Sequence, residues 1–520
     1  MSEIMKITIL IEKENGIQQK AEVTQELGAT LLSTLRKMNL ISESFCGGIG
    51  KCGRCRVQFI EGAPIPTAVE RSQFSPDELR EGYRLACMVR PKNSCVIRLA
   101  WKESYQMDII TDVMKMSQEN DLIGQHEKTA YEDQKAVSHQ EEAEHTKACC
   151  PVCLVAVDLG TTTIAMQLRE LSSGRVISSY CETNPQRCYG ADVLSRIQAA
   201  GQGHAEEMKE SVWQVIRRGM KQFTRSIVCI SIAGNTTMEH LLMGLPTESL
   251  GISPFTPVEI GLQETQFEGI PVYVMPGIST FVGGDIVAGL YYTGLLKFAG
   301  NASVLFLDLG TNGEMALTDG KRMLVTATAA GPAFEGGAGA AVPGSDMIAL
   351  MASFLRDGIM DETGLLAEPY FTEGIRVFPD KDSNPEKSIF VTQQDIRALQ
   401  MAKAAVRAGV EILWKKMGCP VIEQVYLAGG FGYYLDVKAA IAIGLLPKEM
   451  CGNVKAVGNT SLAGAYQIGK DLYCGRTDKK REMESVLQKL CTRELPIESI
   501  NLAKQEHFEE RYLRNLNFGL

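Results

Sequence analysis

Four cysteines and two aspartates carry most of the chemistry that this chain advertises. Cys46, Cys52 and Cys55 stand on one glycine-rich stretch, Cys46-Gly-Gly-Ile-Gly-Lys-Cys52-Gly-Arg-Cys55, and a fourth thiol follows in Arg84-Leu-Ala-Cys87. Four thiolates suit either Zn2+ or an iron–sulfur cluster. Zinc sites usually come as two paired cysteine knuckles, whereas three cysteines on one loop with a distant fourth is the [2Fe–2S] arrangement. Gly47, Gly48, Gly50 and Gly53 let backbone N–H groups point at cluster sulfurs and stabilise their negative charge. The spacing favours a [2Fe–2S] cluster over zinc.

Asp158-Leu159-Gly160-Thr161 and Asp308-Leu309-Gly310-Thr311 are one phrase written twice, each after a short apolar run, Leu154–Val157 and Val304–Leu307. The copies lie about 150 residues apart, one domain-sized unit, which predicts a duplicated lobe. A strand that ends in Asp and turns through Gly and small hydroxyl residues presents backbone N–H groups to phosphate, while the carboxylate holds Mg2+ through water. Gly160, Gly310 and Gly313 are expected to let the backbone approach closely; Thr161, Thr162 and Thr163 add hydroxyls in the first copy, Asn312 and Glu314 an amide and a carboxylate in the second. Two such hairpins face to face would clamp a triphosphate. In Val425-Tyr-Leu-Ala-Gly429-Gly430-Phe431-Gly432 a strand runs into a glycine turn where a flat adenine could lie on bare backbone.

These three phrases resemble the phosphate-1, phosphate-2 and adenosine motifs of the superfamily that unites acetate and sugar kinases, heat-shock chaperone ATPases and actin, over about residues 152–470. No Walker-type Gly-x-x-x-x-Gly-Lys-Ser/Thr and no Gly-x-Gly-x-x-Gly after a strand is present, which removes support for P-loop and dinucleotide folds. At the N-terminus, Met5–Glu12 reads as a strand, Asn15-Gly16 as a hairpin turn, 17–23 as the return strand, and Leu31, Leu32, Leu35 and Met38 as a helix behind a Thr30 cap. Hairpin, helix and cluster loop in that order resemble a β-grasp ferredoxin over residues 1–103.

Composition bounds the rest. A net charge of −9 argues against nucleic acid as a partner and suits a protein that meets other proteins. Lys6, Glu12 and Lys13 interrupt the opening apolar stretch, so no signal peptide and no membrane span are expected. Fifteen cysteines point to a reducing, anaerobic cytoplasm. Residues 104–150 read as a polar linker holding His126, His139 and His145, and Cys150 and Cys153, in the phrase that ends it, as buried or incidental thiols. The stretch 471–520 is expected to pack as a cap on the 151–470 ATPase domain.

Between and after the repeats, several Gly-rich turns suggest a cleft lining: Asn184-Pro-Gln-Arg187 through Arg196, Ala233-Gly-Asn235 through His240, Gly283-Gly284-Asp285, and Phe334-Glu335-Gly336-Gly337. Asp285 and Glu335 are the candidates for orienting the attacking water, and sequence leaves the choice between them open. With the ferredoxin, these phrases make the whole chain resemble the ATP-dependent reductive activators of corrinoid proteins. The resemblance implies an α/β multidomain chain, with a relay cluster on Cys46, Cys52, Cys55 and Cys87, and MgATP on Asp158 and Asp308. It further implies reduction of a methyltransferase-associated corrinoid protein from Co(II) to Co(I), fed by an external low-potential donor. Family members often carry a separate middle domain, for which little more than 104–150 is left here. That departure leaves the number of subunits open, a homodimer being one possibility. The alternatives are an activator of the 2-hydroxyacyl-CoA dehydratase kind and a small-molecule kinase of the same superfamily.

Overall fold

The structure is a computed structural model and describes residues 4–12, 18–26, 28–38, 55–100, 152–298, 300–335, 342, 344–377, 389–450, 453–474, 489–490 and 496–519. Its first sheet contains β1 (Ile4–Glu12), β2 (Gln18–Glu26), β3 (Arg56–Glu61), β4 (Tyr83–Leu85) and β5 (Cys95–Ala100) in the order β2-β1-β5-β3-β4. β1 and β2 pair antiparallel from Ile4 opposite Glu26 to Glu12 opposite Gln18, while β1 and β5 run parallel. The Asn15-Gly16 turn itself lies outside the described residues. Ile7 and Ile9 alternate onto one face and, with Leu31 and Leu35 of the Leu31–Lys37 helix, bury almost completely. Each such side chain contributes about 1.5–3 kcal/mol. Thr30 caps that helix as expected, its hydroxyl accepting the Ser33 N–H at 3.2 Å.

Two six-stranded sheets follow, and they repeat one another. The first holds β6 (Cys153–Leu159), β7 (Thr163–Glu170), β8 (Val176–Thr183), β9 (Ile227–Gly234), β10 (Gln263–Phe267) and β11 (Ile270–Val274) in the order β10-β11-β9-β6-β7-β8. In the second, β12 (Ser303–Leu309), β13 (Asn312–Thr318), β14 (Met323–Ala329), β17 (Ile422–Ala428), β18 (Val454–Gly458) and β19 (Ile497–Ser499) run in the order β18-β17-β12-β13-β14-β19. A short hairpin of β15 (Ile375–Val377) and β16 (Ile389–Val391) stands apart. In both sheets an antiparallel triplet, β6-β7-β8 or β12-β13-β14, continues into parallel neighbours, β9 and β11 or β17 and β18. Continuous apolar runs such as Cys153–Val157 fit this position, because a central strand is covered on both faces.

The lobes meet through two equivalent helices. Gly284–Tyr292 follows β11 of the first lobe and Thr460–Cys474 follows β18 of the second. They approach so closely that a Cβ on Gly464 would stand 2.0 Å from the Ala288 carbonyl oxygen, so only glycine allows the crossing. The N-terminus of the second helix reaches the first lobe, where Asn459 and Ser461 bond Asp158. The C-terminal stretch does more than cap the domain: β19 adds a parallel strand beside β14, and Phe518 is 1% exposed within the second lobe's core.

Candidate functional site

At the ferredoxin end, β3 and β4 pair antiparallel with Arg56 opposite Leu85, which sets Cys55 beside Cys87. The Ala86 N–H donates to the Cys55 carbonyl at 2.8 Å, and the two Sγ atoms lie 3.3 Å apart in an apolar surround. Two sulfurs bound at about 2.3 Å to one tetrahedral metal stand about 3.8 Å apart, so this pair fits two ligands of a single iron. Glu70, fully buried, accepts the Leu85 N–H at 2.8 Å and so ties the ligand-bearing turn to the Ala68–Gln73 helix. Cys46 and Cys52 lie outside the described residues.

The second site forms where the two repeated phrases face each other. Asp158 and Asp308 occupy matching places near the ends of β6 and β12, each beside a parallel neighbour, Ala233 or Ala428. The hydroxyls of Thr162 and Thr311, one from each turn, are 2.8 Å apart, so the two turns touch across the lobes. Asp158 accepts hydrogen bonds from Asn459 Nδ2 at 2.7 Å and Ser461 Oγ at 2.9 Å, both at the start of the Thr460–Cys474 helix. Asn459 also caps that helix through the Leu462 N–H at 2.8 Å.

The electrostatics link the carboxylates into one cleft. Asp285, half-buried on the Gly284–Tyr292 helix, is pushed up to about 7 by burial, with Asp158 adding like charge. Glu314, 6% exposed, is held well above the ordinary carboxylate range by burial and by the charges of Asp285 and Asp308. Glu239 is raised in the same direction by burial and by Asp285, although it accepts the Gly234 N–H at 3.1 Å. Among the described residues no three His, Cys, Asp or Glu side chains gather tightly enough to chelate a metal directly.

The remaining candidates separate into those that line the cleft and those that pack. Gly429 has a left-handed φ of +80°, and a Cβ there would come 2.6 Å from Asp308 Oδ1. Gly430 has open space around its Cα, whereas Gly432 packs against Leu427 and Gly313 against Val406 and Thr328. A Cβ at either of those last two positions would crowd protein neighbours. The glycines open a helix, Gly429–Tyr434, rather than a plain turn. Gly310 closes its turn by donating to the Asn312 carbonyl at 2.9 Å, and Thr163 begins β7 opposite Thr183. The Thr161 hydroxyl accepts from Asn235 Nδ2 at 2.9 Å and so engages the protein side of its turn. Glu335 ends a short 3-10 turn, Gly331–Glu335, and its side chain lies outside the described residues. Sequence reasoning missed Asn459 and Ser461; their signal was the equivalence of Asn459-Thr460-Ser461 after β18 to Gly283-Gly284-Asp285 after β11.

Comparison with known proteins bears directly on this two-site arrangement. Residues 14–92 match the 2Fe-2S iron-sulfur cluster binding domain, 153–297 match the RACo middle region, and 302–341 with 338–519 match the C-terminal, ASKHA domain of RACo. The middle region, expected from the sequence to be largely missing, thus falls on the first lobe. The corrinoid activation enzyme RamQ of Eubacterium limosum is 29% identical over 71% of this chain and 71% of its own. The [Co(II) methylated amine-specific corrinoid protein] reductase of Methanosarcina barkeri is 24% identical over 70% of this chain and 76% of its own. A solved reductive activator for a corrinoid, iron-sulfur protein superposes with a TM-score of 0.62 at 25% identity, covering 99% of this chain and 98% of that one. No helix among the described residues is long and apolar enough to cross a membrane. With a [2Fe–2S] domain at one end and a two-lobed ASKHA domain at the other, the chain belongs to the family of reductive activators of corrinoid proteins.

Proposed function

We propose that this protein hydrolyses ATP to drive the one-electron reduction of a corrinoid protein from Co(II) to Co(I). The observation that carries this reading is the meeting of two Asp-ended turns, Thr162 against Thr311 at 2.8 Å, in a chain that also sets Cys55 and Cys87 at 3.3 Å. The relatives named for acting on corrinoid proteins supply the substrate class. The physiological setting that fits is an anaerobic methyl-transfer system with an external low-potential electron donor.

Each residue then has a task. Cys46, Cys52, Cys55 and Cys87 would hold the [2Fe–2S] cluster, which supplies a one-electron relay when bound. Asp158 and Asp308 would hold Mg2+ through water, and the turns Gly160–Thr163 and Gly310–Asn312 would bind the phosphates. Gly429 and Gly430 leave bare backbone for the adenosine. Asp285, with its carboxyl near 7, is able to take a proton at neutral pH, which suits it to orienting and deprotonating the attacking water. Glu335 remains the second candidate for that task. Glu314, its carboxyl raised well above the ordinary range by burial and by Asp285 and Asp308, adds a buried acid to the cleft.

Energetics explain why an electron carrier needs ATP. Plant-type clusters work near about −400 mV, and each further 100 mV uphill requires about 2.3 kcal/mol. Hydrolysis meets that requirement only when lobe closure changes the partner's cobalt site or its affinity. The test is ATPase activity with and without a Co(II) corrinoid protein, with Co(I) followed optically. Stimulated hydrolysis and ATP-dependent Co(I) are expected; neither one appearing would remove this reading.

A further inference from the structure

The turn after β6 is held from behind by two side chains that the reading above leaves without a task. The Gly160 carbonyl accepts a hydrogen bond from Asn184 Nδ2 at 2.8 Å, and the Thr161 carbonyl accepts one from the guanidinium of Arg196. A trans peptide carries its N–H on the side opposite its C=O. Pinning these two oxygens inward therefore turns the amide hydrogens of Thr161 and Thr162 the other way, the side on which Thr162 meets Thr311.

Arg196 is fully buried on the Val193–Ala199 helix, with Nε donating to the Gly190 carbonyl at 3.0 Å and Nη1 near Gln186 Oε1 at 3.4 Å and Met238 Sδ at 3.0 Å. A neutral donor would hold the Thr161 carbonyl with a far smaller desolvation penalty. What the guanidinium adds is a full positive charge behind a turn, in a medium that screens it poorly.

We propose that Arg196 is a positioning residue of the triphosphate grip: through the Thr161 carbonyl it aims the turn's amides at phosphate, and its buried charge favours the polyanion over uncharged adenosine. This rests on the nucleotide reading of the cleft. The test is equilibrium binding of ATP, ADP and adenosine to the full chain and to Arg196→Gln and Arg196→Lys. Arg196→Gln weakens ATP about tenfold to a hundredfold, the range for losing a charged hydrogen-bond partner, and leaves adenosine within about twofold; Arg196→Lys recovers part of the loss. Equal losses for ATP and adenosine, or an unchanged ATP affinity, overturn the inference. Should Arg196→Gln fail to fold, Asn184→Ser tests the same claim at Gly160, because serine keeps an acceptor for the Gln186 N–H and removes the amide donor. A phosphate-selective loss there supports the inference, and no such loss overturns it. A wild-type chain that binds no ATP removes the nucleotide reading as well, whereas wild-type binding with insensitive variants removes this inference alone.

Discussion

The two lobes end equivalent strands in the same four residues, yet they surround the two aspartates differently. Asp158 of the first lobe receives two donors from the second, Asn459 and Ser461. Its turn is braced by Asn184, Arg196 and Asn235. Asp308 instead lies against the bare backbone of Gly429 and beside Glu314, whose carboxyl is raised by burial and then by the charges of Asp285 and Asp308. Duplication thus kept the backbone and divided the chemistry. One face is rich in side-chain donors, and the other pairs acids with glycine.

The largest expected effects test whether both faces are needed. Asp158→Ala and Asp308→Ala should each lower ATP turnover by about a hundredfold or more, the scale for removing one electrostatic group from a site that stabilises transition-state charge. A variant that retains turnover would break the division of labour. Next comes a contrast between neighbours: Gly429→Ala forces a side chain into a left-handed backbone and against Asp308, costing about 1–2 kcal/mol of stability and lowering nucleotide affinity. Gly430→Ala, with open space, should match wild type in thermal unfolding and still lower nucleotide affinity, because its methyl would stand on the backbone left for the adenosine. Smaller again is Ser461→Ala, which removes one of the two donors on Asp158 and should weaken ATP binding about tenfold, a value that equilibrium titration would check.

A last test lies away from the cleft and concerns the second lobe alone. Lys403 on the Gln393–Lys416 helix is 1% exposed, donates to the Asn517 carbonyl at 2.6 Å and lies over the Phe518 ring. Burial, with Arg407 nearby, outweighs those contacts and holds the ammonium down to about 7 from an ordinary 10.5. The unfolded chain binds the extra proton between those values, so stability should rise with pH from about 7 to about 10.5 and be lost again as pH falls through that window. The slope reaches about 1.4 kcal/mol per pH unit. Lys403→Met should flatten it in denaturant titrations.

How much was legible in the sequence follows the range of the interactions. Asp158 and Asp308 could be read because strand, acid and glycine turn are consecutive, and the β-grasp order could be read from local periodicity and the Thr30 cap. Ser461 could not, because its contact with Asp158 spans 303 residues and depends on how two helices cross at Gly464. The close neighbours of Gly313 were not legible, because Val406 and Thr328 come from other elements whose packing no local pattern reveals. Arg196 stood in a phrase that was recognisable as unusual; its task became readable only when the Thr161 carbonyl was seen to point at it. β19 was missed because three residues of strand make sense only beside β14.

The most direct measurement is Co(I) formation by the anaerobic, reduced full-length protein mixed with a Co(II) corrinoid protein, followed optically with and without ATP. Co(I) should accumulate only with ATP, and should be absent for both Asp158→Ala and Cys87→Ser. Co(I) forming equally well without ATP, or with Asp158→Ala, would contradict the coupling of the cleft to the electron.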